Sequence, residues 1–498
     1  MCGGWSDWKL GSFLEKVKTD LISSSAKAEA RHSTRRSLRL VATAWAFGAA
    51  WMFVAQGAAV TQFGKLLHLP KFWFGVLSAL PFIGALTQPL ASYFIERYGR
   101  RKLLFLATGI THRLLWVAVA LVPWLCPDAW WWPALMALTT VSYLCGHLSG
   151  PAWVSWMADL VPVQIRGRYF SRRNQLGQMS GVCATLLVGY ALDVGQAAST
   201  LWLMRVCSII LALAGVSGAV DYMMHQLVPD LTAAKPHAGV RFWKLMREPL
   251  RDRNFRRFLG FNAALTFSIA YVSQFVWLYL FDVMGASNMR ANLMWMVMQL
   301  GVWAVSYPLW GRIIDKAGRK PVLLVAGLMF AFSGAAWIFV TPENWVAGYV
   351  AVILATAAWP GVDLANFSLL LAMSTSHGGR RQGSAYVAVN SFVVGVAGVA
   401  SGVIGGAIAQ MLRDWHATVF GWPLTYHSVL FLLTLLMRLV AVGWAFRLED
   451  PRAHGPRATL RYLATDIYSN AQQVVLAPAR LLARVGRWTY RINRPRKH

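Results

Sequence analysis

The sequence predicts an all-α membrane protein of twelve transmembrane helices, arranged as two six-helix bundles related by pseudo-two-fold symmetry. Three observations carry this expectation: charge is sparse, apolar runs of membrane-crossing length recur, and one short charged motif occurs twice. Only 14% of the 498 residues are charged and 57% are hydrophobic, whereas an ordinary soluble domain carries about a quarter charged residues. Mean hydropathy is +0.45. A helix needs about 20 apolar residues to cross the hydrocarbon layer, and runs of that order fall at 38–62, 72–95, 103–125, 129–158, 170–193, 199–223, 257–281, 290–311, 321–341, 345–373, 385–411 and 424–447. None alternates polar with apolar, which excludes a β-barrel reading.

Positive charge orders the runs across the bilayer. Of 48 Lys and Arg, only Lys65, Lys71, Arg290 and Arg413 fall in loops on one side, and Arg113, Arg205 and Arg438 lie inside spans. The rest sit in the termini and the loops that share their side, so the positive-inside rule makes both termini cytoplasmic. The net charge of +28 follows loop parity and requires no nucleic-acid partner. Cys2, Cys126, Cys145, Cys183 and Cys207 form no CxxC or Cys/His cluster, so neither a disulfide framework nor a metal site is expected. The first 37 residues lack an apolar core with a cleavage site.

The domain order follows. Residues 1–37 form a cytoplasmic amphipathic segment, 38–224 the first bundle, 225–256 a cytoplasmic linker rich in Arg, Lys and Pro, 257–448 the second bundle, and 449–498 a basic cytoplasmic tail. Trp5, Trp8, Phe13, Val17 and Leu21 recur at helical spacing among Lys, as Leu481, Leu482, Val485 and Trp488 do among Arg. Basic amphipathic helices of this kind bind anionic lipid headgroups.

The charged motif reads YFIERYGRRK at 93–102 and GRIIDKAGRKP at 311–321. Glu96, Arg97, Gly99 and Arg100 in the first copy correspond to Asp315, Lys316, Gly318 and Arg319 in the second. A second echo, RGRYFSRRN after the fourth run and RQGSAYVAVN after the tenth, has nearly the same spacing. Two motifs with nearly equal offsets argue for an internal duplication of six spans. Each Gly suits a left-handed turn just beyond a helix end.

Taken with the twelve runs, these motifs resemble the major facilitator superfamily over the whole transmembrane length. The second copy matches the family's G-x-L-x-D-R-x-G-R-R loop well; the first departs from it, with Ser92 for the leading Gly and Glu96 for Asp. The segment Trp153–Asn174 also resembles a stretch common in bacterial members of unassigned substrate. The resemblance implies a secondary transporter of a small organic solute working by alternating access, with no cofactor, residing as a monomer in a bacterial inner membrane. It further implies conformational latches, with Glu96 reaching the start of the eleventh helix and Asp315 the start of the fifth, near Arg166 and Arg168. The rival reading is a transporter-like sensor or scaffold that binds solute without moving it. An enzyme is disfavoured because no nucleophile–base set or phosphate-binding glycine loop is found.

Ionisable residues inside spans are functional candidates, since each costs roughly 2.5–3.5 kcal/mol on insertion scales. Asp363, beside Pro360-Gly361, is the one carboxylate placed deep in a span and the candidate proton carrier; the competing expectation pairs it structurally with Arg113 or Arg438. Pro360-Gly361 should loosen its helix. The candidate proton or substrate site comprises Asp363, Asn366, His147, Arg113, Tyr143, Gln274, Asn390 and Trp359. The resemblance places helices 3, 6, 9 and 12 at the periphery, so Arg113, Arg205 and Arg438 are expected to be structural. Neutral solutes fit a set of amides interleaved with tryptophans. The glycines of span eleven, from Gly395 to Gly406, suit close helix contact.

Overall fold

The computed structural model describes residues 34–162, 165–230, 247, 249–376, 379–419 and 422–450. The expected amphipathic segment up to residue 33, most of the linker and the basic tail from 451 lie outside the described residues.

All twelve apolar runs are helical. The first holds α1 (Thr34–Ala55) and α2 (Ala58–Leu66), and the second holds α3 (Lys71–Ala85) and α4 (Gln88–Tyr98). Then come α5 (Arg101–Leu125), α6 (Trp131–Leu160), α7 (Arg166–Ala198) and α8 (Thr200–Met224). The seventh run holds α9 (Arg253–Ala270), α10 (Val272–Leu278) and a π-helical turn; the eighth holds α11 (Asn288–Asn292), a second π-helical turn and α12 (Met298–Ala317). The remaining four are α13 (Arg319–Ala336), α14 (Trp345–Ser376), α15 (Gly379–Met411) and α16 (Tyr426–Phe446), with a small hairpin of β1 (Ala417–Val419) and β2 (Trp422–Leu424) before the last. Among the described residues, 10 helical segments are long and apolar enough to cross a membrane. The fourth and eighth runs are helical but less apolar, because α6 mixes in Ser, Thr and Gly and α12 ends in charge.

Three breaks that periodicity does not announce have local causes. The first helix unwinds at Gln56-Gly57. The second breaks before Pro89, which lacks an N–H to continue the ladder; there Thr87 Oγ1 donates to the carbonyl of Gly84 at 2.7 Å. At the junction of α9 and α10 the Ser401 hydroxyl enters the ladder, donating to the Phe267 carbonyl at 2.6 Å and accepting from the Tyr271 N–H at 3.0 Å. In hydrocarbon, backbone groups freed from a helix need such substitutes.

The chain packs as two compact units. Of the described residues, one takes those before Pro70, those from 83 to 230 and Ser287–Asn292; the other takes Pro70–Phe82, those from 247 to 286 and those from 293 to 450. In the first unit α5 packs on α6 and α8, burying Phe105, Trp156 and Tyr222. Segment 287–292 is tied to α7 and α2. The Asp193 carboxylate accepts the N–H groups of Asn288 and Met289, and Gln62 Nε2 donates to Asn288 Oδ1 at 2.8 Å.

In the second unit α9 packs on α15 and α16, and α13 on α14 and α16, around Phe255, Phe258, Phe261 and Trp310. Segment 70–82 rests on the glycines of α15. A Cβ at Gly402 would strike the carbonyl of Gly75 and the methyl of Ala79, and one at Gly406 would strike the carbonyl of Phe72. Close backbone approach therefore requires glycine at both positions.

The charged loop has the same construction in each unit. Gly99 closes α4 at φ 67° and ψ 1°, the left-handed geometry expected of it; Gly318 follows α12 at φ 93° but ψ 171°, an extended positive-φ conformation open to glycine in place of the expected left-handed turn. Arg101, 2% exposed at the start of α5, holds Asp159 of α6 at 2.5 Å and Asp230, just past α8, at 2.7 Å. In the second unit Asp450, just past α16, accepts the N–H groups of Arg319 and Lys320 at 3.1 and 3.2 Å. A carboxylate beyond the last helix thus fastens the first turn of the third helix in each bundle, by an ion pair in one and a helix-end cap in the other.

Two stability predictions follow from this packing. Gly402→Leu should lower the stability of purified protein by about 1–3 kcal/mol through overpacking. Gly443→Ala, where a Cβ would meet nothing within 4 Å, should leave the melting temperature unchanged. Asp230→Ala should cost about 1.5–3 kcal/mol, the usual value of hydrogen bonds to a charged group, and Asp450→Ala about 0.5–2 kcal/mol as a lost cap, both read by thermal unfolding in detergent.

Candidate functional site

The candidates named from sequence fall into a loop set and two intramembrane sets, one per unit. In the loop set, Arg97 is exposed and donates to the Tyr93 hydroxyl on the same helix. Arg100, Asp315 and Lys316 are also exposed. The side chains of Glu96, Arg166 and Arg168 lie outside the described residues. Arg101 is the loop residue that is buried and paired, and sequence reasoning missed it. A run of three basic residues, Arg100 to Lys102, does not reveal which one turns inward.

In the first unit the helix break at Thr87 sets Gln88 beside α6, and Gln88 Nε2 lies 3.2 Å from His147 Nδ1. One turn earlier on α6, Tyr143 approaches His112, with ring centroids 6.3 Å apart. His112 Nδ1 meets Ser142 Oγ at 2.7 Å and its ring meets Trp51 edge-on at 4.8 Å. Arg113 is buried with its guanidinium 3.4 Å from the centroid of Trp51, and its Nε and Nη1 lack a hydrogen-bond partner among the described residues. Gly218 leaves the room its side chain occupies. The cation rests on an aromatic face, an arrangement worth about 2 kcal/mol or more when desolvated.

Asp363 is therefore not the one deep carboxylate. Asp221 of α8 is 6% exposed, and Arg113 and Arg173 both act on its charge. Arg173 itself is buried between Trp45 and Trp153, its guanidinium 4.1 and 4.6 Å from their centroids. The sequence reading put Asp221 at the edge of its run. The helix continues to Met224, and its packing against α5 carries the carboxylate inside.

In the second unit Asp363 sits half-buried on α14 and accepts from the Tyr307 hydroxyl at 3.1 Å. Arg438 is turned elsewhere, donating to the Phe330 carbonyl and to Ser333 Oγ, so the Asp363–Arg438 pair considered from sequence does not form. The helix expected to loosen at Pro360-Gly361 runs unbroken. Gly361 packs closely against the ring of Trp310, whose Nε1 donates to the Ala357 carbonyl at 2.8 Å. Further along α14, Asn366 keeps a buried Oδ1 without a partner among the described residues. Trp359 packs on Phe330 with centroids 5.5 Å apart. Asn390 accepts from Asn262 Nδ2 at 2.8 Å, and Gln274 lies half-buried one turn past the Tyr271 break. Asp363, Trp359 and Asn366 thus share α14, and Tyr307 is the partner that sequence did not supply.

Chemically, each unit offers amides, phenols and indoles for neutral solutes. The second adds a carboxylate met, among the described residues, by one hydroxyl and no cation.

Comparison with known proteins bears on this arrangement. A search of curated proteins by sequence finds no match. The family model of the Major Facilitator Superfamily matches residues 40–402. Among solved structures, a point mutant of the nucleoside transporter NupG superposes with a TM-score of 0.64 at 13% identity, covering 83% of this chain and 100% of that one. The D-xylose–proton symporter gives 0.61 at 16% identity, covering 85% and 98%. A bacterial homologue of the human lysosomal transporter Spinster gives 0.59 at 16% identity, covering 87% and 98%. At such identities these likenesses show the fold alone. The family match spans most of the chain, and with the helices and the duplicated loop already in place, this multi-pass integral membrane protein belongs to the Major Facilitator Superfamily of transporters.

Proposed function

We propose that the protein moves a small, largely neutral organic solute across the membrane by alternating access, with a proton as coupling ion carried by Asp363. The observation that carries the coupling is the Asp363–Tyr307 pair. A carboxylate midway along a membrane helix, bonded to one phenol and facing no cation among the described residues, is a group able to take and release a proton. Each unit carries candidate solute contacts of its own, the amide and ring of Gln88–His147 in one, and Trp359 with the amides Asn262–Asn390 in the other. The solved structures of similar fold include transporters of a nucleoside and of D-xylose with a proton, solutes of the size and polarity this reading requires. In the same reading both termini are cytoplasmic, which the charge distribution supports, and the basic segments at both ends meet anionic headgroups.

Purified protein screened for ligand stabilisation against nucleosides, sugars and related neutral solutes, then assayed for counterflow in proteoliposomes, tests the reading. Absence of counterflow for every stabilising solute would overturn it. Asp363→Asn should abolish accumulation driven by a pH gradient while sparing counterflow. Tyr307→Phe should retain accumulation but shift its pH dependence. Within the same reading Glu96 and Asp315 act as conformational latches. Glu96→Gln and Asp315→Asn should each slow turnover about tenfold at matched expression, the effect of about 1.4 kcal/mol on a barrier.

A further inference from the structure

Within the second unit, apart from Asp363, lies a cavity of about 270 Å³ bounded by α9, α10, α12, α13, α14 and α16. That is the small end of the range for organic ligands, which starts at about 300 Å³. Trp295, Trp303, Trp337, Trp359, Phe330 and Phe431 stand in its wall. Arg438 is the single ionisable residue lining it.

Three features show that this arginine is built into the cavity. It is 7% exposed, with its guanidinium 3.6 Å from the centroid of Phe330. Gly334 makes room for it, since a Cβ there would approach Arg438 Nη1 to 3.2 Å. Its bonds go to the neutral Phe330 carbonyl and Ser333 hydroxyl through Nη1, and Nε has no acceptor among the described residues. A guanidinium carries five N–H donors and no acceptor, so much of its capacity is unmet. The Trp303 indole N–H, on the same wall, is likewise buried without a partner among the described residues. A buried cation without a counter-ion is costly, and here the cavity beside it is large enough to admit one.

We propose that this cavity is a binding site for a monocarboxylate on an aromatic body. The carboxylate accepts from the Arg438 guanidinium, and the body stacks among the tryptophans. A guanidinium in the cavity wall, bonded to neutral acceptors alone among the described residues, selects a group with several acceptor lone pairs and negative charge, which a carboxylate supplies and an amide supplies only in part. The planar aromatic lining selects the body. Small volume limits the ligand to on the order of ten to fifteen heavy atoms. The cavity shares Trp359 with the solute contacts proposed above but includes neither Asp363 nor Tyr307, and its occupancy does not depend on a transport cycle.

The test is equilibrium binding of radiolabelled phenylacetate at pH 7 to the full chain in nanodiscs of neutral phosphatidylcholine, with empty nanodiscs as blank. Phenylacetamide and octanoate serve as competitors. Phenylacetate should bind at least tenfold more tightly than either. Ala355→Phe, which fills the cavity from α14 and leaves Arg438 in place, should remove binding without lowering the melting temperature. Arg438→Gln should remove the preference for the acid over the amide. Equal competition by phenylacetamide would show that the charge is not read, and equal competition by octanoate that the rings are not. Undiminished binding to a folded Ala355→Phe variant would place the ligand elsewhere. Any of these results overturns the proposal. Because no ion gradient is applied, such a failure leaves the transport reading untouched, and absence of counterflow leaves this site untouched.

Discussion

Hydrocarbon offers no water to an exposed N–H or carbonyl, so each backbone polar group in a span must find its partner within the protein. That constraint shapes this chain most where its helices are interrupted or weakened. At the α9–α10 junction the Ser401 hydroxyl stands between the Phe267 carbonyl and the Tyr271 N–H, replacing one ladder bond with two. Before Pro89, Thr87 turns its hydroxyl back to Gly84. On α14, which stays continuous, Trp310 supplies a donor to the Ala357 carbonyl in the turn before Pro360-Gly361. Each weak point is held by a specific side chain, and polar side chains suited to solute contact stand next to each. Gln274 follows the first, Gln88 the second and Asp363 the third. Satisfying the backbone and placing functional groups are here one problem.

Buried charge obeys the same logic at higher cost, and the two units solve it differently. Arg101 is held by two carboxylates and needs nothing more. Arg113 lies on Trp51 within reach of Asp221, which Arg173 also faces. Arg101 closes on its carboxylates, and Arg113 and Arg173 have Asp221 as counter-charge although each keeps a buried nitrogen without a partner among the described residues; removal of these groups should be felt as stability. Arg438 has the aromatic face, in Phe330, and neutral acceptors, but no carboxylate among the described residues. It is the arginine of this group that lines a cavity. The contrast separates it from the structural arginines with which its peripheral helix would class it.

Much of the fold was legible because membrane helices write themselves in length and apolarity. The twelve runs appear as helices with ends shifted by a few residues, and Gly99 adopts the left-handed turn its position implied, while Gly318 has a positive φ with an extended ψ. What escaped was whatever depends on contact between distant segments. Nothing local marks Ser401 as the residue that enters another helix, or Asp230 and Asp450 as the anchors of α5 and α13. Asp221 was overlooked because a charge near the end of an apolar run reads as its boundary, and only packing against α5 reveals it as interior. Asp363 stood out because its run continues on both sides, yet its phenolic partner lies on another helix and left no trace in spacing.

The glycines of α15 show how far a composition signal reaches and where it stops. Their number in one span announces close contact, and the structure supplies it: Gly402 and Gly406 admit the backbone of segment 70–82, while Gly405 meets the ring of Tyr271. One helix therefore presents small residues to two neighbours, one of which is the helix that Ser401, on that same α15, also interrupts. Contact with α9 and α10 and acceptance of segment 70–82 are consequently fixed by a single stretch, Ser401 to Gly406, of about one and a half helical turns. A bulky residue there would disturb both the seat of segment 70–82 and the break that positions Gln274. That coupling gives the glycine run a structural reason beyond the packing of any one pair.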